Sequence, residues 1–135
     1  MSFRPSLRSL ALIVFWAATV AYVAFGTVGV VFGPFELAPF VSHDATAFGQ
    51  IRFLKACELA VGAAFWMLRQ RIHHDPFAQR FVAFVLVVTP LARIVAMASD
   101  GWPIPLFQAI AAMEVLGGLV FSAWVFGTRR AVAAS

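Results

Sequence analysis

The chain has 135 residues, of which 62% are hydrophobic and 12% charged, and its mean hydropathy is +0.90. A water-soluble domain of this length does not carry so apolar a composition, so lipid is the expected solvent. The formal net charge of +4 does not read as a nucleic-acid surface, because the arginines cluster at the ends of apolar runs, where they act as topology determinants.

One helical crossing takes about 20 apolar residues, so this length allows about four crossings with short connections and no separate soluble domain. The expected fold is all-α: an integral membrane four-helix bundle over residues 1–135, with predicted helices at about 10–32, 45–70, 76–99 and 105–126. The first run, Leu10 to Phe32, is uncharged and ends in the turn-forming Gly33-Pro34. It is too long for the apolar region of a secretory signal, about 7 to 15 residues, and is expected to be retained. Asp44 or Thr46 caps the second predicted helix, which is charged in its first half and purely apolar from Leu59 to Leu68. Asp75-Pro76 supplies a capping carboxylate followed by proline for the third, inside which Pro90 is expected to produce a kink. Asp100-Gly101-Trp102-Pro103 forms a turn, and the fourth predicted helix is closed by Arg129-Arg130.

Arg4, Arg8, Arg69, Arg71, Arg80, Arg129 and Arg130 then fall on one side of the membrane, expected to be the cytoplasm, with both termini. The opposite loops carry Glu36, Asp44 and Asp100. Phe35 and Trp102 are expected at the outer interface, and Trp66 and Trp124 at the inner one. Cys57, the single cysteine, lies in an apolar run and reads as inert packing.

At an offset of 56, Ala56-Cys57-Glu58-Leu59 aligns with Ala112-Met113-Glu114-Val115, Gly62 with Gly118 and Phe65 with Phe121. The shared pattern A-[CM]-E-[LV]-x-x-G-x-x-F suggests two repeated helical hairpins related by an axis along the membrane normal. A glycine four residues after each glutamate shares its helical face and admits a close neighbour, either a helix backbone or a ligand.

Ionisable residues inside the apolar runs carry the functional expectation: Arg52, Lys55 and Glu58, then Arg93, then Glu114. Each unpartnered charge would cost roughly 2.5 to 3.5 kcal/mol at the bilayer centre, so partners or water are required. Arg52, Lys55 and Glu58 are spaced by three and share a helical face, as do Arg93 and Asp100, seven apart. Glu58, Arg93 and Glu114 match in depth, about 10 to 20 Å inside the outer boundary. With Asp100 they make a neutral set of three positive and three negative groups, with Gln50 and Gln108 near its mouth. Glu58 and Glu114 sharing a proton suit general acid/base work, and Arg93 and Lys55 suit orienting an anionic or carbonyl group. Glu58, Glu114 and Arg93 are therefore the candidate catalytic residues. Arg52, Lys55, Asp100, Gln50, Gln108, Gly62 and Gly118 are the candidate ligand-binding residues. His43 and His73-His74 lie on loops, so no metal site is expected, and the chain has no phosphate-binding loop, nucleophile elbow or cofactor motif.

The segments FGQIRFLKACELAVG (48–62), ARIVAMASDGWP (92–103) and AAMEVLGG (111–118) resemble a family of small bacterial four-helix membrane proteins, a domain of unknown function that looks related to the DoxX-like group. The resemblance runs from about Leu10 to Phe126 and makes Arg52, Lys55, Glu58, Arg93, Asp100, Gly101, Pro103 and Glu114 signature positions. It implies a four-helix membrane fold and no particular activity or cofactor. Two functions follow as expectations. One is a bacterial inner-membrane protein whose polar, outward-opening pocket binds a small lipophilic molecule, such as a quinone, isoprenoid or lipid, with or without catalysis. The other is an accessory or assembly subunit whose charges only fix helix packing. Membrane lipid is an expected partner in both, and a homo-oligomer is required by a third reading, a proton-coupled transporter.

Overall fold

The computed structural model describes residues 6–32, 45–100 and 105–133. Its elements are α1 (Leu7–Phe32), α2 (Ala45–Leu68), a 3-10 turn (Arg71–His73), α3 (Pro76–Asp100) and α4 (Pro105–Ala133), with no strand among the described residues. The Gly33-Pro34 turn, the Asp44 cap, Phe35, Glu36 and the Gly101-Trp102-Pro103 turn lie outside the described residues, as do the side chains of Thr46 and Asp100.

The helix starts follow from local chemistry. Ser6 caps α1: its Oγ accepts from the Ser9 amide at 3.2 Å and its carbonyl from the Leu10 amide at 3.0 Å. That cap extends α1 three residues ahead of the expected Leu10, because Arg8 and Ser9 are tolerated in a first turn. Asp75 caps α3 as its sequence predicts, with Oδ1 accepting from the Phe77 amide at 2.8 Å and Pro76 in the first helical position. At the end of α2 the Arg69 amide donates to Trp66 O at 3.3 Å and the Arg69 Nη1 to the same carbonyl at 2.9 Å, closing the helix at Leu68 rather than Gln70. Arg129-Arg130 does not close α4, which continues to Ala133.

Among the described residues α1, α3 and α4 are long and apolar enough to cross a membrane. α2 has a comparable length of 24 residues, but Arg52, Lys55 and Glu58 crowd its middle. Large apolar side chains point outward on every helix, including Val20 at 63%, Phe53 at 64%, Phe84 at 65% and Met113 at 72% exposed. In water such a surface would be a severe liability, whereas lipid solvates it.

The chain divides into two compact units, Trp16–Gln70 and Met1–Phe15 with Arg71–Ser135. In the first, α1 and α2 run antiparallel at very short separation. A Cβ on Gly26 would lie 2.5 Å from the Leu59 backbone nitrogen, and one on Gly62 2.8 Å from that of Val23. Phe65 is fully buried and meets Tyr22 edge-on at 5.9 Å.

In the other unit α3 and α4 pack antiparallel, with Val82, Phe121 and Val125 among the buried side chains. α3 continues through Pro90, which is buried. Having no N–H, Pro90 leaves the carbonyl of Leu86 without its helical donor. Gly118 of α4 stands against that carbonyl, so close that a Cβ would come within 2.5 Å of Leu86 O. A neighbouring helix thus covers the polar group that proline releases, as a lipid-embedded helix requires. Trp124 is 6% exposed and meets Phe121 edge-on at 5.4 Å, so it faces protein, not the interfacial belt expected of it. Cys57 is exposed on α2, which corrects its reading as packing.

Candidate functional site

The repeated pattern on α2 and α4 has a structural counterpart in each unit. Gly62 and Gly118 both stand against the preceding helix, and Phe65 and Phe121, three residues on, are both fully buried. The space above each glycine is filled by that helix, at Tyr22 and Val23 of α1 and at Leu86 and Val87 of α3. Close helix packing therefore accounts for both glycines, and Gly118 also borders an apolar cleft beside Leu86 and Pro90. One turn before each glycine comes the glutamate, held at a set distance from the close contact.

In the α1–α2 unit, Lys55 Nζ donates to Glu58 Oε2 at 3.1 Å. The partners are three residues apart on one helix, as the spacing predicts. The lysine stem lies over Gly29 of α1, where an added Cβ would meet Lys55 Cδ at 2.6 Å. In the α3–α4 unit the cation comes from the facing helix: Arg93 Nε donates to Glu114 Oε2 at 2.9 Å and Nη2 to Oε1 at 3.1 Å. This fork-to-carboxylate geometry uses both oxygens and fixes the helix register as well as the charge.

The two arrangements are variants of one plan. Gly29 follows Tyr22 by seven residues, as Arg93 follows Leu86, and Tyr22 and Leu86 are the residues packed on the two repeat glycines. Where the second hairpin has Arg93, the first has bare glycine, and Lys55 from α2 occupies the vacated space. Gly26 and Gly29 were not singled out by the sequence reading. Their spacing within the uncharged run from Leu10 to Phe32 was the available signal of close approach.

Lys55 and Glu58 are 15% and 35% exposed, and Arg93 and Glu114 35% and 28%. Each glutamate is thus paired within its own unit, and none of the four side chains is buried. The expected single buried set of six charges, with two glutamates sharing a proton, is not among the described contacts. Arg52, Gln50 and Gln108 are exposed, Arg52 without an ion pair among the described residues. The carboxylate of Asp100 lies outside the described residues. Two clefts are found among the described residues, and both are apolar. One is formed by Leu86, Pro90, Ile94 and Leu119, the other by Trp16, Val20, Val23 and Trp66. Neither is lined by a charged side chain.

Compared with the curated proteins and with the solved structures, the chain finds no match. A family model does match residues 10–125, nearly the whole region in which the two hairpins and their ion pairs lie. The chain belongs to the family described as domain of unknown function DUF4345.

Proposed function

We propose that this chain is an integral membrane protein that binds a small lipophilic molecule with a polar head, and that binding depends on the Lys55–Glu58 pair of one unit and on the Arg93–Glu114 pair of the other. The observation that carries the reading is the partial exposure of four charged side chains within otherwise apolar helices. An ion pair inside lipid still has donors and lone pairs to satisfy, and a carbonyl or anionic head group satisfies them. Arg93 and Lys55 each offer donors to such a group within their own unit, and Arg52, Gln50 and Gln108 are the further polar candidates. The same proposal includes the bacterial inner membrane, with the arginine-rich helix ends on its cytoplasmic side, and kinship of the family with the DoxX-like group.

Native mass spectrometry with lipid analysis of gently purified wild type, Glu58→Gln and Glu114→Gln tests it. The expected result is one lipophilic species retained by the wild type and lost from both variants while helicity and size are unchanged. Retention of the same species by both variants overturns the reading. A second reading is favoured by the two-point Arg93–Glu114 contact, which already occupies both carboxylate oxygens. It makes the chain an accessory or assembly subunit whose charges fix packing, and it predicts that Glu114→Gln alters stability alone.

A further inference from the structure

At the other end of α2, eleven residues or about 16 Å from Glu58, a different kind of site is built within the Trp16–Gln70 unit. Trp16, Thr19, Val20, Val23 and Ala24 of α1 line an open, wholly apolar cleft of about 220 Å³ closed at one side by Trp66. Trp16 and Trp66 meet edge-on at 5.8 Å. The guanidinium of Arg69 lies over the Trp66 ring, 4.8 Å from its centre.

Arg69 has no ion pair among the described residues, and Nη1 alone is bonded, to Trp66 O. One indole thus connects a cation to an apolar channel, and among the described residues no carboxylate meets the cation's donors. A cleft of 220 Å³ is smaller than the roughly 300–1,000 Å³ of drug-sized pockets, which suits one flexible chain and not a ring system. Residues 16 to 24 span about 12 Å along α1, the direction an acyl chain takes from the interface inward.

We propose that this groove holds an acyl chain of an anionic phospholipid, with the lipid phosphate on Arg69 and the chain between Trp16 and Ala24. The site is independent of the glutamate pairs. A planar guanidinium held over an indole, with Nη1 on the Trp66 carbonyl, still has donors to offer a phosphate in two-point fashion. Zwitterionic lipid offers the same chain but cancels the phosphate charge with its own ammonium.

Tryptophan fluorescence in vesicles tests the proposal, using phosphatidylglycerol or phosphatidylcholine brominated in the chain at equal mole fraction. Brominated phosphatidylglycerol is expected to quench the wild type more strongly. Arg69→Gln is expected to reduce that preference about fivefold, the contribution of one basic residue at an anionic surface. Ala24→Phe, which fills the groove from an exposed position, is expected to abolish the excess quenching, and Arg80→Gln to leave it unchanged. Equal quenching of the wild type by the two lipids overturns the proposal. So does an Arg80→Gln effect as large as that of Arg69→Gln, which would mean diffuse attraction, or a preference that survives Ala24→Phe.

Discussion

Glycines at three positions meet different atoms, and that difference sets the cost of a methyl group. At Gly118 the obstacle is the Leu86 carbonyl oxygen at 2.5 Å, and at Gly62 the Val23 backbone nitrogen at 2.8 Å; neither can swing aside. At Gly117 it is Val14 Cγ1 at 3.2 Å, a side-chain methyl that can shift. Gly118→Ala and Gly62→Ala are expected to lower stability by about 1–3 kcal/mol, the usual range for overpacking. Gly117→Ala is expected to be neutral or to gain up to about 1 kcal/mol from helix propensity. Thermal unfolding in detergent distinguishes them, and equal losses at all three would contradict the packing described here. The sequence marked Gly62 and Gly118 through the repeat. It could not say whether a helix or a ligand stood opposite, because glycine serves both by the same absence of a Cβ.

Pro90 of α3 and Gly118 of α4 act on one group, the Leu86 carbonyl, where the two helices come close together. Replacing Pro90 by alanine returns an N–H to that carbonyl, so the penalty of Gly118→Ala should change when both substitutions are present. A double-mutant cycle is expected to show a coupling above about 0.5 kcal/mol; strict additivity would show that the two residues do not act on a shared group. The Arg93–Glu114 pair couples the same helices one turn away. Glu114→Gln leaves a guanidinium without its carboxylate and is expected to cost about 2–3 kcal/mol, with much of this recovered in Arg93→Leu/Glu114→Leu. Failure of the double variant to recover would mean the charges do more than balance each other. These elements show why much of the fold was readable. Helix starts at Ala45, Pro76 and Pro105 follow from composition and caps, and depth counting brought Arg93 to Glu114. The partner of Glu58 was readable from i,i+3 spacing alone. The division into two pairs was not, because rise per residue gives depth but carries no information on which helices are neighbours. Trp124 was misread for a related reason: position near a helix end predicts an interfacial level, whereas burial depends on the face it takes.

For the molecule as a whole, composition sets α2 apart: Arg52, Lys55 and Glu58 within seven residues distinguish it from the three helices long and apolar enough to cross a membrane. Four crossings return the chain to its starting side, and three do not. Alkaline phosphatase and green fluorescent protein fusions at each terminus are expected to report both termini in the cytoplasm, following the arginine asymmetry. Termini on opposite sides would mean that α2 lies in the interface. The source of each glutamate's counter-charge bears on how the chain enters the bilayer. Glu58 carries its cation on its own helix, so α2 neutralises it as soon as it coils, leaving Arg52 as that segment's one charge without an ion pair among the described residues. Glu114 has no such companion within a turn on α4, and its charge is offset only once α3 lies alongside. Those two segments must leave the translocon together, as a preassembled hairpin, which makes the biogenesis of the second half a concerted event and that of the first a sequential one.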